Sequence, residues 1–404
     1  MSENITKKRI VSPSFMITIL ALYFVVPSQG AVLAALGQMS VAFPDVPGSY
    51  LGYVASIVAL AQIIGAIVSG FIVGRFVKYK TLLLASLILY LIAGLSPYLI
   101  PDGGSFTLLL ATRFIFGLGL GCFKPVAEAL ITNAYKDENK RANVFGFGNS
   151  AFSIGAVIFQ TVGGLLCLIS WQTTFLVYLA GLVPLLAVAF LFKEPTIEAA
   201  DELKSKSKIK IPIVVWVLFI MFTCTQVFQY PTFVFLGQFM LEAGFYNPAV
   251  AGTLLSSITA VSFVVALAFG GIYRLLGKLT LPISALFVAG GELCFYFGCS
   301  TVSMPLMILA VVIFGIGITI MMAGLSQEVS RLVNKATAAA ALGFLFAFMN
   351  VGTFLATPYT VMVEGATGSL LSTLVIGPVA LVIVGIIYAA IMFTAKPVKG
   401  PEEV

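Results

Sequence analysis

Twelve stretches of mostly apolar residues, parted by short polar connections, fill nearly the whole chain. Each is long enough for a helix to cross a hydrocarbon layer about 30 Å thick, which takes about 20 residues. Their predicted limits are 14–38, 51–74, 80–100, 105–131, 142–168, 172–192, 212–240, 248–276, 279–300, 304–327, 337–362 and 369–394. The connections "PDVPGS", "PDGG", "EAGFYNP" and "VEGATG" carry turn residues and acids, whereas "RFVKYK", "KDENKR", "RLLGK" and "RLVNK" are basic, and the two sets alternate. Of the 22 Lys and Arg, 20 fall in the terminal segments or in connections on one side of this threading; the other two are Arg113 and Lys124. The opposite side holds only Asp45, Asp102, Glu242 and Glu364. An excess of Lys and Arg marks the cytoplasmic side, so both termini and the 193–211 connection are expected there. The pattern predicts an all-α membrane protein of twelve transmembrane helices, multi-pass in a lipid bilayer.

Composition agrees, with 60% hydrophobic and 9% charged residues among 404 and a mean hydropathy of +1.09, values outside the range of soluble domains. The net charge of +6 reflects topology, and no basic patch beyond the connections exists to hold a nucleic acid. The run "KSKSKIK" reads as a solvated linker near anionic headgroups. The start, "MSENITKKRIVSPSFM", has no small-residue cleavage site after a short apolar core and reads as a retained cytoplasmic tail. All five cysteines lie in apolar runs and histidine is absent, so neither a metal site nor a cofactor is expected. None of the glycine runs follows a strand or precedes Lys-Ser/Thr, which sets phosphate loops aside. An enzyme would have few tools here, and a sensor would need a signalling segment that tails of about a dozen residues do not supply.

The 193–211 connection divides the chain into 1–192 and 212–404, six predicted spans each, and the halves repeat. At an offset of 200 residues "LGQM" (36–39) falls on "LGQF" (236–239), Gly70 on Gly270 and Lys78 on Lys278; "FGLG" (116–119) meets "FGIG" (314–317) at nearly the same offset. Paired six-span halves with a site between them are a transporter architecture.

On these residues the chain resembles the major facilitator superfamily, of the bacterial twelve-span type. The family's loop after span two reads G-x-x-x-D-R-x-G-R-K, and here "GFIVGRFVKYK" keeps Gly70, Arg75 and Lys78 while Gly74 and Val77 replace the acid and the second glycine. The second copy, "GGIYRLLGKL", keeps Gly270, Gly277 and Lys278, with Arg274 at the acid's place. The span-four motif R-x-x-x-G-x-G is present as Arg113, Gly117 and Gly119. Where the family often has an acid near the end of that helix the chain has Asn133, so the resemblance implies an inner gate, with Arg75 and Lys78, that is either weakened or rebuilt through Glu328 and Arg331. Span five, "GAVIFQTVGG", keeps Gly155, Gly163 and Gly164 but replaces the Gly-Pro pair of drug antiporters with Phe159 and Gln160. The implied fold is two pseudo-symmetric six-helix bundles, both termini cytoplasmic, in the inner membrane of a bacterium, and a monomer.

Span four carries the charges that need explaining. Eleven residues at 100° and 1.5 Å each bring Lys124 within about 20° of Arg113 and about 16 Å further along, with Glu128 one turn beyond Lys124. An unpaired charge at such depth costs at least about 2.5–3.5 kcal/mol, so each needs a partner, water or solute. Lys124 and Glu128 fit either an i,i+4 pair that holds an inner gate or a cation that exchanges its acid for the solute. Arg113 has no acid within one turn and fits either carbonyl and water bonding in the bundle interior or proton coupling and attraction of the anion. This face is expected to line an aqueous cavity, with Gly117 leaving space beside Arg113. The resemblance implies that spans one, four, seven and ten line it. Gln226, Gln229 and Tyr230 share a face ahead of Pro231, and Asn149 and Asn350 occupy corresponding places in spans five and eleven. Tyr23, Gln29, Met321 and Met322 complete the candidates. Glu292, midway along span nine, reads as a protonated or helix-bonded acid with a proton-carrying role open. The expected function is secondary transport of a small organic anion, a carboxylate, by alternating access with proton symport or exchange of a counter-substrate; the alternative is a proton-coupled efflux antiporter.

Overall fold

The computed structural model describes residues 13–74, 76–135, 138–193, 211–333 and 335–394. They fold into α1 (Pro13–Ala42), α2 (Gly48–Ile72), α3 (Tyr79–Leu99), α4 (Phe106–Ala134), α5 (Glu138–Cys167), α6 (Gln172–Leu191), α7 (Ile213–Val234), α8 (Pro248–Leu276), α9 (Thr280–Ser300), α10 (Met304–Leu332), α11 (Lys335–Thr367) and α12 (Leu370–Thr394). The helices α8 and α9 form one continuous helical run from 248 to 300, which turns back at Gly277 (φ 51°), where the left-handed backbone suits a residue without Cβ. Observed limits match the predicted ones to within a few residues; the largest difference is at the end of α7, which closes at Val234 where 240 was predicted, while α10 runs on past 327 to Leu332 and carries Glu328 and Arg331 in its last turns. Within α1 the stretch Val26–Ala35 is wound as a tighter 3₁₀ helix that starts beside Pro27, whose missing N–H leaves the usual ladder incomplete.

The packing repeats. In the first six helices α2 lies on α4, α3 on α4, α1 on α5 and α3 on α6; adding six to each number gives the packings of the second set, α8 on α10, α9 on α10, α7 on α11 and α9 on α12. The two bundles meet along α5 with α8 and along α2 with α11, which is again one contact and its symmetry mate. Glycines permit the close approach. A methyl group built at Gly164 of α5 would lie 2.6 Å from the Pro248 carbonyl oxygen of α8, and one at Gly37 would lie 2.9 Å from the oxygen of Gly237. The two "LGQ" segments picked out by the repeat therefore pack against each other.

The connections define an acidic face (after α1, α3, α7 and α11) and a basic face, where the chain enters and leaves. At the acidic face the bundles are latched together. Glu364, late in α11, accepts hydrogen bonds from the Ser49 hydroxyl and from its N–H (3.2 Å) in the first turn of α2, where a carboxylate also meets the positive end of the helix dipole. Gln238 donates to the Gly48 carbonyl and the Ser40 hydroxyl, both 3.0 Å, and Tyr246 donates to the Ala34 carbonyl at 2.6 Å.

Candidate functional site

Helix α4 holds the two deep cations, and the structure gives them different surroundings. Arg113 is fully buried (0% exposed). Its Nε donates to the Val54 carbonyl of α2 at 3.0 Å and its Nη1 to the Tyr178 hydroxyl of α6 at 2.9 Å. The guanidinium lies 4.5 Å from the Phe116 ring centre, with the Phe175 and Tyr178 rings at 5.7 and 5.5 Å. Arg113 has no acidic partner among the described residues, and its Nη2 has no hydrogen-bond acceptor. The expectation that it lines an aqueous cavity is corrected here: the guanidinium is sealed between α2, α4 and α6. Gly117 leaves no free space either, since a methyl there would lie 2.7 Å from Ala61 and 2.8 Å from the Val58 carbonyl.

Lys124 is half-buried and faces the other bundle. Its ammonium lies 4.6 Å from the centre of the Phe346 ring on α11 and 3.9 Å from Glu128, with side-chain exposures of 30% and 44%. At that distance the pair attracts without a close hydrogen bond. Glu128 in turn acts electrostatically on Tyr23 of α1, which places the pair between α1, α4 and α11.

The reason for the difference is the crossing of α2 over α4. Val54 meets Arg113, Val58 and Ala61 meet Gly117, Gln62 meets Gly121, and Gly65 accepts from Cys122. On a helical wheel positions 113, 117, 121 and 122 advance by about 0°, 40°, 80° and 180°. Thus α2 covers the arginine and then moves round the side of α4, leaving the Lys124 and Glu128 positions, about 20° and 60° from Arg113, open towards α11. The two cations do share a face, but the neighbour changes along it.

Amides gather at the middle of the helices. Gln62 of α2 donates to Gln29 of α1 at 2.7 Å. On α7 Gln229 donates to Gln226 at 2.7 Å, and both are buried, with Gln226 against Gly352 of α11; Tyr230 turns to Phe233, ring centres 6.0 Å apart. Asn350 bonds the Phe346 carbonyl of its own helix at 2.9 Å. Tyr23 is buried against Gly148 of α5, while Asn149 beside it is exposed. Met322 is exposed on α10, and Met321 is buried against Ser284. Residues that the sequence reading did not single out as a site are Gln62 and Gln160, the latter accepting from Thr259 of α8 at 3.0 Å and so bridging the bundles. An amide alone in an apolar span is the signal that would have found both.

Near the basic face Arg331 is paired to Glu328 at 2.6 Å, and Tyr273 of α8 donates to the same carboxylate at 2.6 Å. This trio lies wholly in the second bundle. Lys78 is exposed at the start of α3, and Arg75 lies outside the described residues. Glu292 does not face lipid: it is 1% exposed, accepting from Thr232 of α7 at 3.0 Å. A cavity of about 350 Å³ lies elsewhere, between the ends of α9, α11 and α12 around Tyr296, Ser300 and Thr367, and no candidate residue lines it.

Residues 11–357 match the family model described as Major Facilitator Superfamily. Among curated relatives, the 4-hydroxybenzoate transporter PcaK of Pseudomonas aeruginosa is 30% identical over 190 residues, 46% of this chain and 41% of that protein. The quinolone resistance protein NorA of Staphylococcus aureus is 28% identical over 140 residues, 35% of this chain and 34% of that protein. The matches thus span well under half the length of these relatives. Among solved structures, the nucleoside transporter NupG superposes with a TM-score of 0.78 at 15% identity, covering 95% of this chain and 100% of that one. A D-xylose-proton symporter superposes with a TM-score of 0.75 at 15% identity, covering 95% and 98%. At such identity the likeness is one of fold.

Proposed function

This chain belongs to the Major Facilitator Superfamily, and we propose that it is a secondary active transporter that carries a small organic anion, a carboxylate, between its two six-helix bundles, with Lys124 as the counter-charge. The observation that carries this reading is the placement of Lys124: a half-exposed cation at mid-membrane depth, held only at 3.9 Å by Glu128, over an aromatic ring of the opposite bundle. A cation there is costly unless a mobile partner or water offsets it. An entering carboxylate would take the ammonium from Glu128, and Phe346 would offer an apolar surface to the rest of an aromatic or alicyclic acid. The paired amides Gln29–Gln62 and Gln226–Gln229 can exchange their mutual bonds for bonds to the solute's polar groups at little net cost.

In this reading the latch of Glu364, Gln238 and Tyr246 closes the acidic face while the Lys124 side opens to the basic face. By the Lys and Arg excess the basic face is cytoplasmic, so this is an inward-open state in the cytoplasmic membrane of a bacterium. Rocking about the α5–α8 and α2–α11 contacts would exchange the two. The name of the Pseudomonas relative, a transporter of an aromatic carboxylate, supports the anion. The names of the NorA and methylenomycin A resistance relatives favour a second reading, efflux of a drug-like compound. Proteoliposomes offered a panel of radiolabelled organic acids, 4-hydroxybenzoate among them, separate the two. Uptake of at least one acid, lost in Lys124→Gln, is the expected result. If Lys124→Gln carries the acids as well as the unaltered protein does, or no acid is carried while a cationic dye is extruded, the anion reading is wrong.

A further inference from the structure

Glu292 is the one acid or base placed in the interior of the second bundle. Between Ile211 and Thr394 the other charged residues are Glu242, Arg274, Lys278, Glu328, Arg331, Lys335 and Glu364, all at or near helix ends. The carboxyl group sits between α7, α9 and α12. Its Oε1 accepts from the Thr232 hydroxyl of α7 at 3.0 Å, and its Oε2 has no partner among the described residues. A methyl built at Gly377 of α12 would lie 2.9 Å from that Oε2 and 3.2 Å from the Phe228 carbonyl oxygen of α7, so both oxygens converge on one small gap.

The groups that face it are few. From α7 come Thr232 and the Phe228 carbonyl; from α10, Phe314 packs on the neighbouring Gly291; from α12 comes Gly377. Tyr359 of α11 is the titratable side chain in electrostatic reach, and Cys294 is the nearest on α9 itself. The Tyr359 hydroxyl is buried without a hydrogen-bond partner among the described residues. Among the described residues no cation faces the carboxyl from these helices. An ionised carboxylate with one hydrogen bond in such a place costs several kcal/mol, whereas a protonated one costs far less and can donate.

From this geometry we infer that Glu292 is a proton-carrying site of the transport cycle, outside the solute path: it holds a proton in the state described and releases it when the α7–α9–α12 wedge opens. The step is a plain acid dissociation, a carboxylic acid giving a carboxylate and a proton taken up by water. Helix α7 supplies the coupling. Pro231 leaves the Val227 carbonyl without its intrahelical N–H, and α7 ends at Val234, so the segment that holds Thr232 is loosened just where it touches Glu292. The same helix carries Gln226 and Gln229 on the solute side and leads into Gln238 of the acidic-face latch. A charge created at Glu292 would draw in the Thr232 and Tyr359 hydroxyls and so move α7, which bears on solute site and latch together.

The significance of the inference rests on the transport reading, but its first test does not. Infrared difference titration of the protein in lipid vesicles, without solute, should show the C=O stretch of a protonated carboxyl that vanishes in Glu292→Gln and shifts in Thr232→Val. Absence of any such band across the pH range tested would overturn it. With radiolabelled benzoate, Glu292→Gln should retain counterflow and lose accumulation driven by an imposed pH gradient; accumulation equal to that of the unaltered protein would overturn it. If Glu292→Gln fails to fold, Thr232→Val carries the test, and must displace the pH profile of uptake; an unmoved profile counts against the inference. Failure of the anion reading looks different: the unaltered protein shows no benzoate counterflow, and the infrared band decides alone.

Discussion

Arg113 shows how far magnitudes can decide a residue's role. A buried guanidinium costs at least about 2.5–3.5 kcal/mol. Two hydrogen bonds from a charged donor return about 1.5–3 kcal/mol each, and a desolvated cation over an aromatic face adds up to about 2 kcal/mol. The sum offsets the penalty without an anion, so Arg113 can hold α2, α4 and α6 together with no solute present. Its spacing from Lys124 was readable in the sequence; its partners were not, because a carbonyl on α2 and a phenol 65 positions away on α6 leave no local pattern. Replacing Tyr178 by Phe should lower the thermal unfolding temperature in detergent, reflecting a loss of about 1.5–3 kcal/mol, while the apparent KM for a carried acid stays unchanged. A raised KM with unchanged unfolding would instead put Arg113 in contact with the solute.

Among elements, the contacts that join the bundles are backbone against backbone, and their chemistry is that of small residues. Gly164 on α5 and Gly252 on α8 face each other, each admitting the other's helix where a methyl would come within 3.0 Å. Gly164→Val should therefore prevent closure at the acidic face, and spin labels at Asp45 and Gly365 should report a longer distance than in the unaltered protein. Glu364→Gln should act in the same direction but weakly, since a carboxylate at a helix start contributes about 0.3–1 kcal/mol; the longer distance should then appear as a minor population, grown about two- to fivefold, as such an energy implies. An unchanged distance distribution in Gly164→Val would contradict the assignment of this contact to the gate. Glycines of span five were visible in the sequence as the part of a drug-antiporter pattern that the chain keeps, but which helix they touch depends on how the bundles dock, and no periodicity within one helix encodes that.

For the molecule as a whole, the twelve helices were legible because each must satisfy its own backbone in lipid, which makes length and hydropathy sufficient. The repeat was legible for a related reason: the "LGQ" segments at 36 and 236 recur because they meet at the axis between the bundles. What the sequence could not disclose was which side of the bundle pair is shut, since that depends on the pairing of Glu364 with Ser49 across 315 positions. Nor did a single helical wheel show α2 covering Arg113 and uncovering Lys124. The account therefore places the path for water and solute along the Lys124 side of α4, entered from the basic face. Single cysteines at positions 113 and 124, each in a chain freed of its five native cysteines, tested with a membrane-impermeant hydrophilic thiol reagent, examine this most directly. The account predicts rapid reaction at 124 from the basic face alone and none at 113; reaction at 113 as fast as at 124, or none at either position, would contradict it.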